Sequence, residues 1–533
     1  MQKDICYGTF PAYSSRSEPE TPSIIGKTGL LLAALSIALI SACNGGGTAG
    51  GNTTPDVPPV TSTLSGKVAD KSGVPVSGVT ITVYSNNNNT AVTTTTDSAG
   101  IYSVAGLRTG TYSDYSIYAE KTGFGFYPSI GDAAGTVGRN DFNGYYRTVI
   151  RFITMPAHDV PNANFTASRP GDRLASLPRT AQTTSYAAGD DYSAQKGVAW
   201  PGTRFTDNQD GTVTDHLTGL VWLQNAGCYT PTDWSTALAA ANRLASGACG
   251  LTDGSTAGQW RMPNANELES LVDVSQSNPA VSAGSHFTAI NLTTAYWSST
   301  TYTAGPANAM AIRFTDGRWI NGAAGDGSFS NTKATSANAL WAVKSGGAGT
   351  VQLLATGAFS GQGGGSGASF GTGDDASLQI GVRFPCPRFI DNGDGTVADT
   401  VTGLTWLKKA DCATLNQSWS DALTAINNLA SGQCGLTDGS TAGQWRMPNR
   451  SEMLSLSDRA PTFPQASYFN GIPGPYGVTV VNPVFFNNFK VSAYYWTSTT
   501  YAADTTQAWT IYSCDFGVYN IAKTSIQYSL AVR

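Results

Sequence analysis

The sequence predicts a multidomain chain in which an all-β sandwich is followed by two α+β domains. Three observations predict it. Turn formers and aromatics abound, with 60 Gly, 12 Trp and 23 Tyr among 533 residues, as in β-rich chains rather than disordered ones. Residues 63–168 are short strand-like runs punctuated by glycine turns. The rest of the chain contains one long stretch twice. Charged residues are only 13% and the net charge is −5. That balance argues against a nucleic-acid binder, which needs a basic stripe. Three His in the whole chain leave little room for His-based chemistry.

The N-terminal 1–42 segment reads as an export signal. Residues 30–40 (LLLAALSIALI) follow Lys27 and have the length of a signal-peptide core, short of the roughly 20 residues of a membrane span. The run ends Ile40-Ser41-Ala42-Cys43. This resembles a bacterial lipobox, which implies lipidation of Cys43 and a membrane anchor. The stretch before Lys27 is long and carries Asp4, Glu18 and Glu20, unlike a short basic leader. Asn44 follows the Cys. By resemblance to Gram-negative lipoproteins, the absence of Asp there implies the outer membrane, with the cell surface or the periplasmic face exposed. Residues 43–62 are rich in Gly, Thr and Pro and read as a flexible tether.

Within residues 63–168, strands are expected at 64–68, 79–84, 93–96, 101–104, 107–110 and 115–118. Turns fall at Gly73, Gly78 and Gly100. Short strands at this spacing predict a sandwich. The phrases G-V-P-V-S-G-V-T-I-T-V, T-D-S-A-G-I-Y and L-R-T-G-T-Y resemble carboxypeptidase-regulatory-like modules. That resemblance implies a transthyretin-like sandwich used as a spacer.

The duplication is the most informative feature. Residues 244–264 recur as 429–449 with one difference in 21 positions, and 204–223 recur as 388–407 with 14 of 20 identical. Residues 296–302 (YWSSTTY) recur as 495–501 (YWTSTTY), and Gly189-Asp190-Asp191 recurs as Gly373-Asp374-Asp375. Copy one is assigned to 188–345 and copy two to 373–533. Residues 169–187 and the Gly/Ser-rich 346–372 are assigned as linkers. In each copy a hairpin comes first, turning in copy one at Asp210-Gly211. A first helix follows near 234–245, with Trp234, Leu238, Ala241 and Leu244 on one face. A second helix opens at Asn264 with Glu267 three residues on, repeated as Asn449 and Glu452, which is a capping-box pattern. Strands then lead to a closing run at 340–344, expected to return beside the first strand. The phrases W-R-M-P-N, Y-W-S-S-T-T-Y and terminal A-V-R resemble the C-terminal domain of the collagen-like bacterial adhesin Lcl. That resemblance implies a C-type-lectin-like fold and, in the adhesin, binding of sulfated glycans.

Eight Cys are present. Removing Cys6 with the signal and Cys43 with the lipid leaves an even set, as expected of disulfides in an oxidising compartment. Cys228 and Cys249 flank the first helix of copy one, as Cys412 and Cys434 do in copy two. Cys386 and Cys514 occur only in copy two, where Gly202 and Thr315 stand in copy one. Their joint presence predicts a third bridge, each worth roughly 2–4 kcal/mol.

The motifs that could carry chemistry mostly read as structural. The Asp207–Asp210 and Asp391–Asp394 stretches resemble EF-hand starts, but Thr206 and Leu217 fall where the first and last ligands belong. A hairpin turn is the expectation. His158, His216 and His286 are isolated and lack zinc-ligand spacing. Copy two has no His, so a His-dependent triad cannot be shared by the copies. No metal, cofactor or enzymatic activity is predicted. Trp260, Arg261 and their counterparts Trp445 and Arg446 are expected to be structural, with the Arg on a carboxylate or carbonyl.

Binding is predicted from divergence. Residues 303–315 match 502–514 at only 3 of 13 positions, against the near-identity upstream. The changed segments supply the candidate ligand residues Arg313, Asp316, Arg318, Trp319 and Asn321, then Trp509, Tyr512, Asp515, Phe516, Tyr519 and Asn520. Such side chains combine large contacts with adaptable hydrogen bonds, although unconstrained loops also diverge. The ending at 510–533 further resembles the variable segment of diversity-generating-retroelement proteins. The chain is thus expected to be a lipid-anchored, adhesin-like surface protein binding a glycan or protein, with a structural envelope protein as the alternative. Each copy is mildly acidic, with 7 basic against 10 acidic residues over 201–350 and 9 against 10 over 384–533. Sulfated glycans favour basic faces.

Overall fold

The computed structural model describes residues 61–85, 90–108, 113–129, 148–152, 164–302, 307–320, 331–357, 373–378, 380–382, 384–385, 388–412, 416–457, 486–490, 493–513 and 517–533. The architecture is multidomain and mostly β, with short helices. No helix among the described residues is long and apolar enough to cross a membrane. Cys43, Cys386, Cys514, Asn321, Asp515 and Phe516 lie outside the described residues.

The first domain is built from β1 (Thr61–Asp70), β2 (Thr80–Ser85), β3 (Thr90–Thr95), β4 (Ile101–Arg108), β5 (Ser113–Glu120), β6 (Gly125–Ser129), β7 (Thr148–Phe152) and β8 (Asn164–Ser168). They form two sheets, ordered β4-β1-β8-β6 and β3-β2-β5-β7. Period-two alternation turns Leu64 and Val68, Ile81 and Val83, and Tyr102 and Val104 into one core, each 3% exposed or less. The alternating apolar pattern of 63–126 is therefore what folds it. Ion pairs from Lys71 to Asp172 and from Arg169 to Asp70 join this domain to the chain that follows.

After helix α1 (Asp191–Ala194), copy one contains β9 (Phe205–Asp207), β10 (Thr212–Asp215), β11 (Leu220–Leu223), α2 (Trp234–Arg243), α3 (Ala265–Ser270), β12 (Tyr296–Tyr302), β13 (Asn308–Arg313), β14 (Arg318–Ile320) and β15 (Val343–Ser345). After α4 (Asp375–Leu378), copy two contains β16 (Phe389–Asp391), β17 (Thr396–Asp399), β18 (Thr405–Leu407), α5 (Trp419–Asn427), α6 (Arg450–Ser455), β19 (Tyr494–Thr500), β20 (Gln507–Tyr512) and β21 (Gly517–Ala522). Copy one forms the sheets β15-β11-β10-β9 and β12-β13-β14. The closing strand thus returns beside β11, the third strand, rather than beside β9. Leu340 and Trp341, just before it, are 1% and 0% exposed, and Trp341 Nε1 donates to the Leu223 carbonyl at the end of β11. Burial of this Trp fixes which strand the closing run meets. The corresponding bridge in copy two joins Trp406 to Val532.

The repeated motifs are structural, and the geometry gives the reason. Trp260 and Trp445 are fully buried and donate to Ser255 and Ser440. Arg261 grips Glu267 through its two terminal guanidinium nitrogens, Nη1 and Nη2 (2.6 and 2.5 Å), and Arg446 grips Glu452 identically. Each Glu also closes the capping box with Asn264 or Asn449. Asp207 and Asp210 spend their carboxylates on the backbone N–H groups of Gln209 and Thr212, which makes them turn formers. Gly211 sits at φ 84°, and a Cβ there would lie 2.5 Å from the Gly250 carbonyl, so only glycine permits the approach.

Both predicted helix-flanking disulfides are present, Cys228–Cys249 and Cys412–Cys434, with Cα–Cα separations of 5.6 and 5.7 Å. Replacing Cys228 and Cys249 by Ser should lower unfolding free energy by roughly 2–4 kcal/mol. Chemical denaturation under non-reducing conditions reads this directly, and a variant as stable as wild type would contradict it.

The described parts of the two assigned linkers pack on the repeat copies. Residues 174–200, which run from the first assigned linker into the start of copy one ahead of its first strand, lie on copy two. The Leu174 and Ala175 N–H groups both donate to the Val401 carbonyl, at 2.8 and 2.9 Å. Asp191 Oδ2 accepts from Thr180 (2.5 Å) and from Thr499 of β19 (2.6 Å). Asn449 donates to the Lys196 carbonyl. Residues 350–357, 373–378 and 380–382, ahead of the first strand of copy two, lie on copy one with matching bonds. Val351 N–H donates to the Leu217 carbonyl, Asp375 Oδ2 accepts from Thr356 and from Thr300 of β12 (both 2.5 Å), and Asn264 donates to the Ile380 carbonyl. The repeated Gly-Asp-Asp motif is therefore a clasp. Each copy receives the clasp that precedes the other, and one apolar cluster runs through both copies.

Candidate functional site

The divergent segments occupy two different environments. Trp319 and Trp509 are 6% and 1% exposed and belong to the shared core, so they do not offer the open ligand face expected of them. Strand alternation is the cause. Trp509 and Ile511 stand two apart on β20, so they share one face, and that face packs into the core with Val518 of β21. Trp319 Nε1 donates to Glu269. Asp316 is likewise buried and holds Arg313 through two bonds (2.8 and 2.6 Å) and Arg318 at 3.3 Å. Arg318 donates across the copies to Asn520. Arg313, Asp316, Arg318, Trp319, Trp509 and Asn520 thus line or support the junction between copies. Tyr512 and Tyr519 differ. They are half-buried and cluster with Tyr494, with ring centroids 4.7 and 5.5 Å from Tyr494 and 6.2 Å from each other.

A cleft of about 430 Å³ opens between residues 173–198 and copy two. Its cationic side chains are Arg173, Lys196, Arg446 and Arg533, and its one side-chain carboxylate is Glu452. Glu452 is already committed to Arg446 and to the Asn449 N–H. Arg533 stacks over Trp445 at 4.9 Å and pairs with Asp438 at 2.8 Å. Arg173 and Lys196 are exposed at the rim and have no carboxylate partner among the described residues. The arrangement leaves surplus positive charge around an open concavity, the electrostatic condition for an anionic ligand group.

The matching place on copy one is built differently. Its Arg261–Glu267 pair matches Arg446–Glu452, but Ile380 and Gly349 replace Lys196 and Arg173. The chain also closes over the spot. A Cβ on Gly219 would lie 2.2 Å from the Gly347 carbonyl, whereas one on the matching Gly403 would find the Asp172 carbonyl no nearer than 3.3 Å. Sequence reasoning missed Arg173 and Lys196 because it read 169–187 as linker and gave no role to the residues just after it. The signal was present: Leu177-x-x-Thr180 recurs as Leu353-x-x-Thr356, so the repeat starts earlier than the identity suggests.

A second pair of clusters flanks the clasps. Lys333 lies 4.3 Å over Trp234 and donates to Thr301; Lys523 lies 4.0 Å over Trp419 and donates to Thr500. Burial pushes both amines down to about 8, against the pull of Asp374 and Asp190. Burial also pushes the clasp carboxyls Asp191 and Asp375 up to about 6. These groups brace the exchanged segments against the sheets.

Comparison with known proteins agrees with the repeat structure. The Lcl C-terminal domain family matches residues 211–344 and 395–533, and the carboxypeptidase regulatory-like domain matches residues 63–126. No curated protein matches the chain.

Proposed function

Because the chain belongs to the Lcl C-terminal domain family, we propose that it is an adhesin-like surface protein that binds an acidic saccharide of a surface or matrix through the cleft on copy two. The observation that carries this reading is the surplus of Arg173 and Lys196 over the single, already paired Glu452 in that cleft. The cleft answers the net acidity of the copies, since a local basic concavity can capture an anion on a mildly acidic domain. The half-exposed Tyr512 and Tyr519 add ring faces on the same copy, and aromatic faces are suited to sugar contact. The lectin-like fold implied by the sequence motifs, a lipid on Cys43 and residence at the outer membrane complete the proposal, with the sandwich as spacer. Binding, not turnover, is the proposed activity.

The test is calorimetric titration of the purified chain with a uronic-acid oligosaccharide, its sulfated counterpart and a neutral oligosaccharide. The acidic ligands should bind, more weakly at high salt. R173E/K196E should weaken binding at least about tenfold, because rim charges govern anion capture. Its melting temperature should hold, because both residues are exposed. Equal binding of the neutral sugar would reject the cleft, and no binding of any probe would favour a structural envelope role.

A further inference from the structure

The clasps are common to both copies, but the centre of the junction is not. Glu269 of copy one pairs with Arg450 of copy two, which donates from Nε and Nη2 at 3.0 and 3.1 Å. Arg450 is 1% exposed, donates to the Gly317 carbonyl at 2.6 Å and stacks over Trp509 at 4.5 Å. Counting from the equivalent caps Asn264 and Asn449, Arg450 is matched in copy one by Ala265, and Glu269 is matched in copy two by Leu454. Strand register matches Trp509 with Met310 and Trp319 with Val518. Each copy therefore carries one half of a set that the other lacks.

We infer that the face between the copies accepts only unlike copies, so that a chain closes copy one on copy two and admits a second chain of this protein solely in that pairing. Two copy-two domains meeting through this face would set a buried Arg450 against Leu454. Two copy-one domains would set Glu269 against Ala265. Either leaves a desolvated charge without its counter-ion, which is strongly unfavourable. The matching pair lowers the energy of one combination and raises it for the two alternatives. This explains why the segments around 310–320 and 509–520 diverged while the frame did not. Their divergence records mutual recognition, and the clasps, being the same in both copies, supply adhesion without choice.

The experiment is charge exchange in the full chain. E269R and R450E should each lower the melting temperature by about 5–10 °C, since each sets like charges together at a buried site. E269R/R450E, which restores opposite charges in reverse order, should recover more than half of that loss. The E269R and R450E chains unfolded and refolded together should form a 1:1 complex of twice the single-chain mass by light scattering. In that complex the two substituted side chains meet at one junction with opposite charges, and the second junction keeps the original Glu269–Arg450 pair. If either single variant does not fold alone, the double variant and the co-refolded mixture still decide. A double variant melting no higher than the singles overturns the pairing code. A co-refolded mixture that stays at single-chain mass overturns the admission of a second chain.

Discussion

Trp509→Ala and Trp319→Ala should each cost about 3–5 kcal/mol of stability, the range for emptying a buried Trp site. Trp509 is 1% exposed, lies in the shared core, contacts Tyr501 edge-on at 4.9 Å and carries Arg450 on its face. Its removal leaves a cavity and strips a buried cation of its aromatic partner. Trp319 closes the other side of the junction and donates to Glu269, so its removal also frees an acceptor that shares the ion pair with Arg450. The corresponding fall in melting temperature should be about 6–20 °C, read by differential scanning calorimetry. Tyr512→Ala and Tyr519→Ala are the controls, because both rings are half-exposed; their melting temperatures should move far less. Trp variants that melt like wild type would show that these residues do not hold the copies together. The ligand-face reading of the divergent segments would then return.

Acidification from pH 7 to pH 4 should stabilise the chain, opposite to the usual behaviour of carboxylate-rich proteins. The sign follows from Asp191 and Asp375. Burial first, with Glu452 and Asp190 around Asp191 and Glu267 and Asp374 around Asp375, raises each carboxyl to about 6, against the hydroxyl donors that hold it. A carboxyl raised above its unfolded value binds its proton more tightly when folded. Its contribution is greatest below the unfolded value near 3.8, falls as pH rises to about 6, and is flat above that. A rise from 3.8 to about 6 corresponds to about 3 kcal/mol for each clasp. The lysines at about 8 titrate above this window. Below pH 4 the trend should reverse as groups such as Asp233 protonate. Asp233 is held at about 2 by the hydroxyls of Ser235 and Thr236 at the start of α2. Melting temperatures from pH 3.5 to 7.5 should therefore peak near pH 4–5, and D191N/D375N should flatten the rise between pH 6 and 4. A wild-type curve that falls steadily from pH 7 downward would defeat the argument.

Several elements were legible because they depend on neighbours in the chain. The capping boxes at Asn264 and Asn449 need four consecutive residues. The turn at Gly211 needs one carboxylate and one residue without a Cβ. The face of α2 formed by Trp234, Leu238 and Ala241 is a matter of helical period, and all three are buried. The disulfides followed from a repeat that kept both partners in place. The divergent strands were legible as strands but not as to which face they bury. Trp, Arg and Asp read as ligand-type residues whenever the partner surface is unknown.

The sequence by itself determined the duplication, the order of elements within each copy and the two helix-flanking disulfides. All of these are local or periodic, and periodicity survives in a one-dimensional record. Only the tertiary structure decided that residues 174–200 clasp copy two and that 350–357 and 373–378 clasp copy one. It alone turned Trp319 and Trp509 inward and opened a cationic cleft on one copy while closing the matching place on the other. Those outcomes rest on contacts between residues up to 318 positions apart, such as Gln182 with Thr500. Which distant surfaces meet depends on the summed burial and charge pairing of the whole chain, and no window of sequence holds that sum.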